Sequence, residues 1–244
     1  LHHQNILTLI GFCLETDPYL LLFESCSVGD LKSFLLSNRD KKSQEALNKE
    51  NILIRIALDI AAGLKHMHCN GFVHTDLSAR NCLVASDLSA KLGDYGTDYY
   101  VVGDRALPIR WSAPESVECT DTTIETREIT SEANMWSYAI FLWEIITWGN
   151  IPYHDKSDEQ VIQMLLHLKS NLSSNDYWTT IVDDTPQLSM GAQISEKYAK
   201  KKLPATGSDS DLRHSIHTDE FDETLRKLRN PLPNNTSNKI RMLD

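Results

Sequence analysis

Apolar residues fall into short runs at the start of the chain and into helical patterns further on. Two strand-sized runs, at residues 6–13 and 19–23, are separated by a turn signal and predict a β-pair. Residues 30–37 predict a short helix. Residues 38–49 are mostly polar, and this pattern predicts a surface loop.

The longest helical patterns lie in the middle of the chain. Ile52, Ile56 and Ile60 recur at helical spacing and predict a helix over residues 51–68. The other predicted elements are two short strands (82–85 and 90–92), a loop-rich stretch (93–128) and two helices (around 136–147 and 158–168). Beyond about residue 170 the apolar residues thin out, and the last forty or so residues are predicted to be mostly disordered.

Composition and charge exclude several classes of protein. The formal charge of the 244 residues is -10 and no long Lys/Arg-rich run occurs, so nucleic acid is not an expected partner. The five cysteines are widely spaced, odd in number and form no CxxC pair. They indicate a reduced, intracellular protein rather than a disulfide framework. No apolar run reaches the roughly 18 residues that a membrane span requires.

Candidate chemistry is concentrated in residues 72–96, FVHTDLSARNCLVASDLSAKLGDYG. Asp76 is followed five residues later by Asn81, and Asp94 comes after a predicted hairpin. Phosphoryl transfer needs a carboxylate that accepts the proton of the attacking hydroxyl. It also needs an amide and a second carboxylate to hold the metal ions that bridge the phosphates. The spacing predicts that these three side chains meet at one site.

This segment resembles the catalytic loop and metal-binding loop of protein kinases. Four other stretches, HHQNILTLIGFC, YLLLFESCSVGDL, WSAPE and MWSYAIFLWEIITWGNIPY, resemble kinase elements in the same order, so the resemblance covers residues 1–169. The catalytic loop is similar to that of the tyrosine-kinase group. Ser78 stands where serine/threonine kinases usually have Lys, and LPIRW, at residues 107–111, resembles the tyrosine-kinase substrate-docking loop.

Departures from the general kinase pattern resemble the lemur tyrosine kinase family. Thr75 replaces the arginine of the HRD motif, the metal loop reads GDYG, and Asn134 stands where most kinases have Asp. Members of that family are reported with serine/threonine as well as tyrosine specificity. The resemblance therefore leaves the acceptor hydroxyl open.

The resemblance implies a role for each candidate site residue. It makes Asp76 the catalytic base, Arg80 a residue that positions the substrate hydroxyl, and Asn81 and Asp94 the ligands of Mg²⁺. For ATP, it implies that the backbone of Glu24 and Cys26 meets the adenine edge, that Leu83 forms the floor of the adenine pocket, and that Asp30 reaches the ribose.

The resemblance also implies an α+β, two-lobe fold with a truncated small lobe and a mainly helical large lobe. The expected domains are residues 1–29 (small lobe and hinge), 30–170 (large lobe) and 171–244 (a divergent, mostly disordered tail). The glycine-rich loop and the ATP-anchoring lysine are expected to precede Leu1. The family further implies a cytoplasmic domain whose parent protein is anchored by a transmembrane segment outside this chain.

Two functions follow from this pattern. The first is an ATP- and magnesium-dependent protein kinase that phosphorylates hydroxyls of a protein substrate, with tyrosine as the expected acceptor and with little or no activity expected for this chain alone. The alternative is a pseudokinase scaffold that binds partners without phosphoryl transfer. Thr75 and Asn134 favour the scaffold, whereas the intact Asp76, Asn81 and Asp94 favour the enzyme.

Overall fold

Residues 1–13, 20–94, 107–119, 124–126 and 129–171 are described by the structure, a computed structural model. Within these ranges the chain forms seven short strands and five α-helices. The strands are β1 (Leu9–Cys13), β2 (Leu20–Phe23), β3 (Gly29–Asp30), β4 (Cys82–Val84), β5 (Ala90–Leu92), β6 (Val117–Cys119) and β7 (Ile124–Thr126). The helices are α1 (Leu31–Ser37), α2 (Lys41–Lys49), α3 (Ile52–Cys69), α4 (Ser131–Ile146) and α5 (Asp158–Asn171). This mixture confirms the predicted α+β class.

The first two strands form the predicted β-pair. β1 and β2 are antiparallel, with Phe12 opposite Leu21 and Cys13 opposite Leu20. Several of their apolar side chains face solvent, and Ile10 and Phe12 are 69% and 66% exposed. Within the apolar run at residues 6–13 only Ile6 and Leu7, which precede β1, are buried, so the strands themselves do not form a core among the described residues.

A second sheet brings the middle of the chain back to its start. β3, β4 and β5 are antiparallel neighbours, with Asp30 opposite Leu83 and Leu83 opposite Lys91. The first residues of the chain run along β5, where Leu7 N donates to Leu92 O at 2.8 Å and Leu92 N donates to Asn5 O at 2.9 Å. The sheet therefore holds the catalytic loop and the metal loop, which flank β4 and β5, in fixed positions relative to each other.

Helix α3 packs its apolar face beneath this sheet. Ile56 and Ile60 are fully buried, as the helical spacing predicted. At Gly63 the helix meets the first segment so closely that a Cβ would lie 2.5 Å from Asn5 O. Glycine is needed here for this close approach and not for its backbone freedom.

Helix α4 runs through the centre of the large, mainly helical part. Nearly all of its residues are buried, including Trp136, Ile140 and Phe141. A helix that is buried on all sides belongs to the core. The polar members Asn134 and Glu144 are 0% and 1% exposed, so each must find partners inside the protein.

The prediction of a surface loop at residues 38–49 is wrong. Residues Lys41–Lys49 form α2, which begins at Asp40, whose Oδ1 accepts a hydrogen bond from Ser43 N at 3.0 Å. The helix has no buried residue, so it leaves no apolar stripe in the sequence. A capping Asp and good helix formers such as Ala46 favour the helix, and the side chains on its inner face, such as Leu47, are only half-buried.

The predicted disordered tail, residues 171–244, lies outside the described residues except for Asn171, the end of α5. The pairing of β6 with β7, in the stretch predicted to be loop-rich, had no signal in the apolar pattern. Among the helices that the structure describes, none is both long and apolar enough to cross a membrane.

Candidate active site

Asn134 holds the start of the catalytic loop from below. Its Oδ1 accepts a hydrogen bond from His74 N at 2.7 Å, and its Nδ2 donates to His74 O at 2.7 Å. The Asn134 amide thus pairs with both polar backbone groups of His74, and these two bonds fix the orientation of the amide. His68 Nε2 also contacts Oδ1 at 3.1 Å, and because that oxygen only accepts, Nε2 must carry a proton. Burial lowers the pKa of His68, although its hydrogen bond with Asn134 opposes this effect.

The His74 side chain connects the catalytic loop to the metal loop. Its Nε2 lies 2.8 Å from Gly93 O and donates to this carbonyl. Its Nδ1 accepts from Asp76 N at 3.2 Å. These two contacts require the tautomer with hydrogen on Nε2. The His74 side chain therefore fixes the position of the Asp76 backbone relative to that of Gly93, the residue that precedes Asp94.

Asp76 and Arg80 form an ion pair at the surface of the loop. Arg80 Nη2 lies 2.8 Å from Asp76 Oδ1 and 3.0 Å from Oδ2. The guanidinium carbon of Arg80 also lies 4.3 Å from the ring centroid of Trp111, a cation–π distance. The docking loop thus supports the arginine, and the arginine orients the candidate base.

Asn81 joins the catalytic loop to the metal loop. Its Nδ2 donates to Asp76 O at 2.7 Å, and its backbone oxygen accepts from Gly93 N at 2.9 Å. Asp94, the next residue, has φ of +49°, the left-handed region that residues other than glycine seldom adopt. Asn81 is therefore joined both to the backbone of Asp76 and to Gly93, the residue that precedes Asp94.

The chemistry of this donor set fits magnesium. The hydrogen bond of Asn81 uses its amide nitrogen, so the amide oxygen is the atom suited to a cation. Mg²⁺ prefers oxygen ligands and is held by one or two carboxylates plus substrate phosphates. Asn81 and the exposed Asp94 carboxylate supply ligands of this type.

The four residues expected around ATP lie along the hinge and the second sheet. Glu24 N donates to Thr8 O at 3.0 Å, and Cys26 O accepts from Gly29 N at 3.2 Å in the turn that leads to β3. Asp30 lies opposite Leu83 in the sheet. Asp30 also caps α1, because its Oδ1 accepts from Ser33 N at 2.8 Å.

Leu83 connects these residues to the catalytic side. A Cβ placed on Gly93 would lie 3.5 Å from Leu83 Cδ1, so the predicted adenine floor adjoins the metal loop. The opposite strand carries Lys91, whose Nζ lies 2.9 Å from both carboxylate oxygens of Glu24. Burial opposes ionisation of Glu24, but hydrogen bonds from Lys91 and Thr8 outweigh it and lower the pKa of this carboxyl.

The docking loop is anchored at its arginine. Arg110 Nε contacts Asp158 Oδ1 at 2.8 Å, and the rest of its guanidinium donates to the backbone oxygens of Pro152, Tyr153 and Lys156, each at 2.8 Å. Trp111 lies next to this anchor. The loop that supports Arg80 is therefore fixed to the start of α5.

The sequence matches a known family over most of its length. A sequence model of the family described as "Protein tyrosine and serine/threonine kinase" matches residues 1–197. The chain belongs to the protein kinase family. The family match and the structure therefore both support the predicted kinase-like organisation of helices and sheets.

Named relatives agree with the resemblance to the lemur tyrosine kinases, which is confirmed. The chain is 37% identical to "Serine/threonine-protein kinase LMTK3" of Mus musculus over 204 residues, which cover 75% of this chain and 14% of the relative. It is 40% identical to "Serine/threonine-protein kinase LMTK1" of Homo sapiens over 170 residues, 66% of this chain and 12% of the relative. It is also 37% identical to the "BDNF/NT-3 growth factors receptor" of Gallus gallus over 179 residues, 68% of this chain and 21% of the relative. The chain thus spans a small part of the length of each of these relatives.

Sequence reasoning missed three residues that organise this kinase site: Lys91, Arg110 and Glu144. Arg110 belongs to the LPIRW motif, but its role there was not predicted. Glu144 is an acidic residue inside an otherwise apolar helix, and that contrast was an available signal. Lys91 had no signal in the sequence, because its partner Glu24 is 67 residues away.

Proposed function

We propose that the full-length protein carrying this chain transfers the γ-phosphate of ATP to hydroxyl groups of a protein substrate. In this reaction the acceptor oxygen forms a bond to the γ-phosphorus, and the bond from that phosphorus to the β,γ-bridging oxygen breaks. ADP leaves, and the hydroxyl proton passes to the Asp76 carboxylate. Asn81 and Asp94 would hold magnesium, which would supply electrostatic stabilisation of the charge on the phosphates.

The observation that carries this proposal is the pair of hydrogen bonds made by Asn81. One reaches Asp76 O at 2.7 Å, and the other accepts from Gly93 N at 2.9 Å. They join Asn81, one candidate metal ligand, to the backbone of the candidate base and to Gly93, which precedes the second candidate ligand. Such positioning supports catalysis, because phosphoryl transfer depends mainly on orientation and electrostatics.

Tyrosine is the acceptor that we propose. The cation beside Asp76 comes from Arg80, four residues along, and Trp111 supports it from the docking loop. Ser78, two residues after Asp76, is fully buried and brings no charge to the acceptor. Relatives are named both as serine/threonine kinases and as growth factor receptors, so the acceptor has to be tested directly.

A transfer assay on the full-length protein tests both statements. We expect radiolabelled phosphate from ATP to appear in a tyrosine peptide pool more than in a serine/threonine pool, and transfer to be lost in Asp76→Asn. Asp155→Asn, at an exposed position outside the site, is the matched control and should retain activity. Transfer that persists in Asp76→Asn would contradict the role of Asp76, and a preference for the serine/threonine pool would contradict the acceptor.

A pseudokinase scaffold is the second candidate, and Thr75 is the observation that favours it. This side chain brings no positive charge to the position where most kinases have the HRD arginine, so a phosphate on the activation loop would lack that partner. If Mg-ATP raises the melting temperature of the protein while no peptide is labelled, the scaffold replaces the kinase as our conclusion.

We also propose that this domain is cytoplasmic and that the full-length protein is anchored in a membrane by a segment outside this chain. The division into residues 1–29, 30–170 and 171–244 stays part of this proposal. Fractionation of cells that express the full-length protein, with and without detergent, tests the anchoring. Recovery of the whole protein in the soluble fraction without detergent would refute it.

A further inference from the structure

Glu144 is a buried carboxylate to which the proposed reaction assigns no role. It lies near the end of α4 and is 1% exposed. Its Oε2 accepts from Ala79 N at 2.8 Å and from Trp111 Nε1 at 2.9 Å. Its Oε1 lies 3.3 Å from Lys32 Nζ. A buried carboxylate is costly unless several donors satisfy it, and Glu144 has three.

The three donors belong to three different parts of the site. Ala79 lies in the catalytic loop between Asp76 and Asn81. Trp111 belongs to the docking loop, and Lys32 lies in the first turn of α1, which Asp30 caps. One side chain of the central helix therefore connects the ATP side of the site to the acceptor side.

Trp111 passes the effect of Glu144 on to the reacting groups. Its indole N–H is held by Glu144, while its ring lies 4.3 Å from the Arg80 guanidinium carbon. Arg80 in turn contacts Asp76 at 2.8 Å. A rotation of the indole would move the surface that supports Arg80, and the candidate base would lose its orientation.

We propose that Glu144 is a positioning residue that fixes the orientation of the Arg80–Asp76 ion pair. It acts through Trp111 and Ala79, and Lys32 is its counter-charge. This inference rests on the proposed kinase function. Glu144 touches neither ATP nor the acceptor in this scheme, so its effect falls on the rate of transfer. Burial raises the pKa of Glu144, against the hydrogen bonds from Ala79 and Trp111 and the charge of Lys32, which favour its ionised form.

Glu144→Gln is the most direct variant. The amide oxygen can replace Oε2 and still accept from Ala79 and Trp111, but only as a weaker, uncharged acceptor, and the amide nitrogen that replaces Oε1 would face Lys32 Nζ, donor against donor. In the full-length protein we expect kcat for peptide phosphorylation to fall about tenfold or more, while the KM for ATP changes little. The matched control is Glu159→Gln, an exposed residue of α5, which should leave both constants unchanged.

A spectroscopic readout separates positioning from loss of stability. In ¹H–¹⁵N spectra of the 244-residue chain, the Trp111 indole signal is assigned by its loss in Trp111→Phe, and the Arg80 Nε–H signal by its loss in Arg80→Lys. Glu144→Gln should shift both signals, and Glu159→Gln should shift neither. A shift of the Trp111 signal alone, with kcat unchanged, would overturn the proposal, because Glu144 would then only stabilise the docking loop.

Lys32→Met keeps the test decisive if Glu144→Gln does not fold. Lys32 is partly exposed, and its removal leaves Glu144 without a counter-charge. We expect the same two signals to move and kcat to fall; unchanged signals and an unchanged kcat would refute the coupling. If the wild type shows no transfer but both signals still move, the kinase proposal fails while the structural link from Glu144 to Arg80 stands.

Discussion

Replacing Asn134 by Asp tests the most specific contact in the candidate site. The side chain is completely buried, and it both accepts from His74 N and donates to His74 O. An ionised Asp keeps the size and shape of Asn and can still accept from His74 N and His68. It cannot donate, so it would place a carboxylate oxygen against the carbonyl of His74, which now lies 2.7 Å from Nδ2.

The expected cost follows from the lost donor. A buried acceptor left without its hydrogen bond costs about 1–3 kcal/mol, and repulsion between the two oxygens adds to this. We therefore expect Asn134→Asp to lower the free energy of unfolding by about 2 kcal/mol at neutral pH. For a chain of this size that corresponds to a melting temperature lower by about 4–8 °C.

The sign of the pH dependence follows from the same contact. A protonated carboxyl introduced in place of Asn134 could donate to His74 O, whereas the ionised form could not, so the native state of the variant favours the proton. When the native state raises the pKa of a carboxyl, the protein loses stability as pH rises above the pKa of that carboxyl in the unfolded chain, about 3.9 for Asp. The difference in stability from wild type should therefore be larger at pH 8 than at pH 5.

Urea unfolding of the 244-residue chain, followed by tryptophan fluorescence, measures this difference. Asn70→Asp is the matched control. Asn70 Nδ2 also donates to a backbone oxygen, that of His66 at 2.8 Å, but at an exposed position. We expect the control to change stability by less than about 0.5 kcal/mol. An Asn134→Asp variant as stable as wild type at both pH values would show that Nδ2 does not stabilise the His74 backbone.

Three further predictions concern stability. Gly63→Ala should lower the free energy of unfolding in urea by about 1–3 kcal/mol, because the new Cβ would lie 2.5 Å from Asn5 O. The control Gly11→Ala should be neutral or slightly stabilising, because no atom lies within 4 Å of its Cβ position. Tyr138→Phe should lower the free energy of unfolding by about 0.5–1.5 kcal/mol, because the hydroxyl donates to Ala57 O at 2.9 Å. Tyr153→Phe should lower it less, because the buried Tyr153 hydroxyl has no partner among the described residues. Equal losses in the two variants would contradict this prediction. Lys91→Met should destabilise the protein at neutral pH. The pKa of Glu24 is lowered below its ordinary 4.5, so the contribution of the pair is present above that value and is lost as pH falls through the lower one; the difference from wild type should shrink in acid, and a constant difference would refute the role of the ion pair.

The order of local motifs made the centre of the site predictable. Asp76, Asn81 and Asp94 are close in sequence, and β4 and β5 form a tight antiparallel pair between them. Local chain geometry therefore places Asn81 beside Gly93, the residue that precedes Asp94. The apolar spacing of Ile52, Ile56 and Ile60 likewise predicted α3, because a buried face repeats with the helical period.

Contacts between distant parts of the chain could not be predicted in this way. Glu144 is 65 residues from Ala79 and 112 residues from Lys32, and only the packing of α4 against the loops brings them together. Helix α2 was missed for a different reason. Its side chains are at most half-buried, and Asp40 caps its N-terminus, so capping and helix propensity favour the helix while the apolar pattern contains little trace of it.

The left-handed backbone of Asp94 has a consequence for ligand affinity. For a residue other than glycine, such a conformation costs roughly 1–3 kcal/mol. The fold already holds Asp94 at φ of +49°, so this cost belongs to the free energy of folding and not to that of binding. If coordination uses this backbone conformation, a cation bound by Asp94 has a dissociation constant lower by roughly 5- to 150-fold than if the residue had to change conformation first.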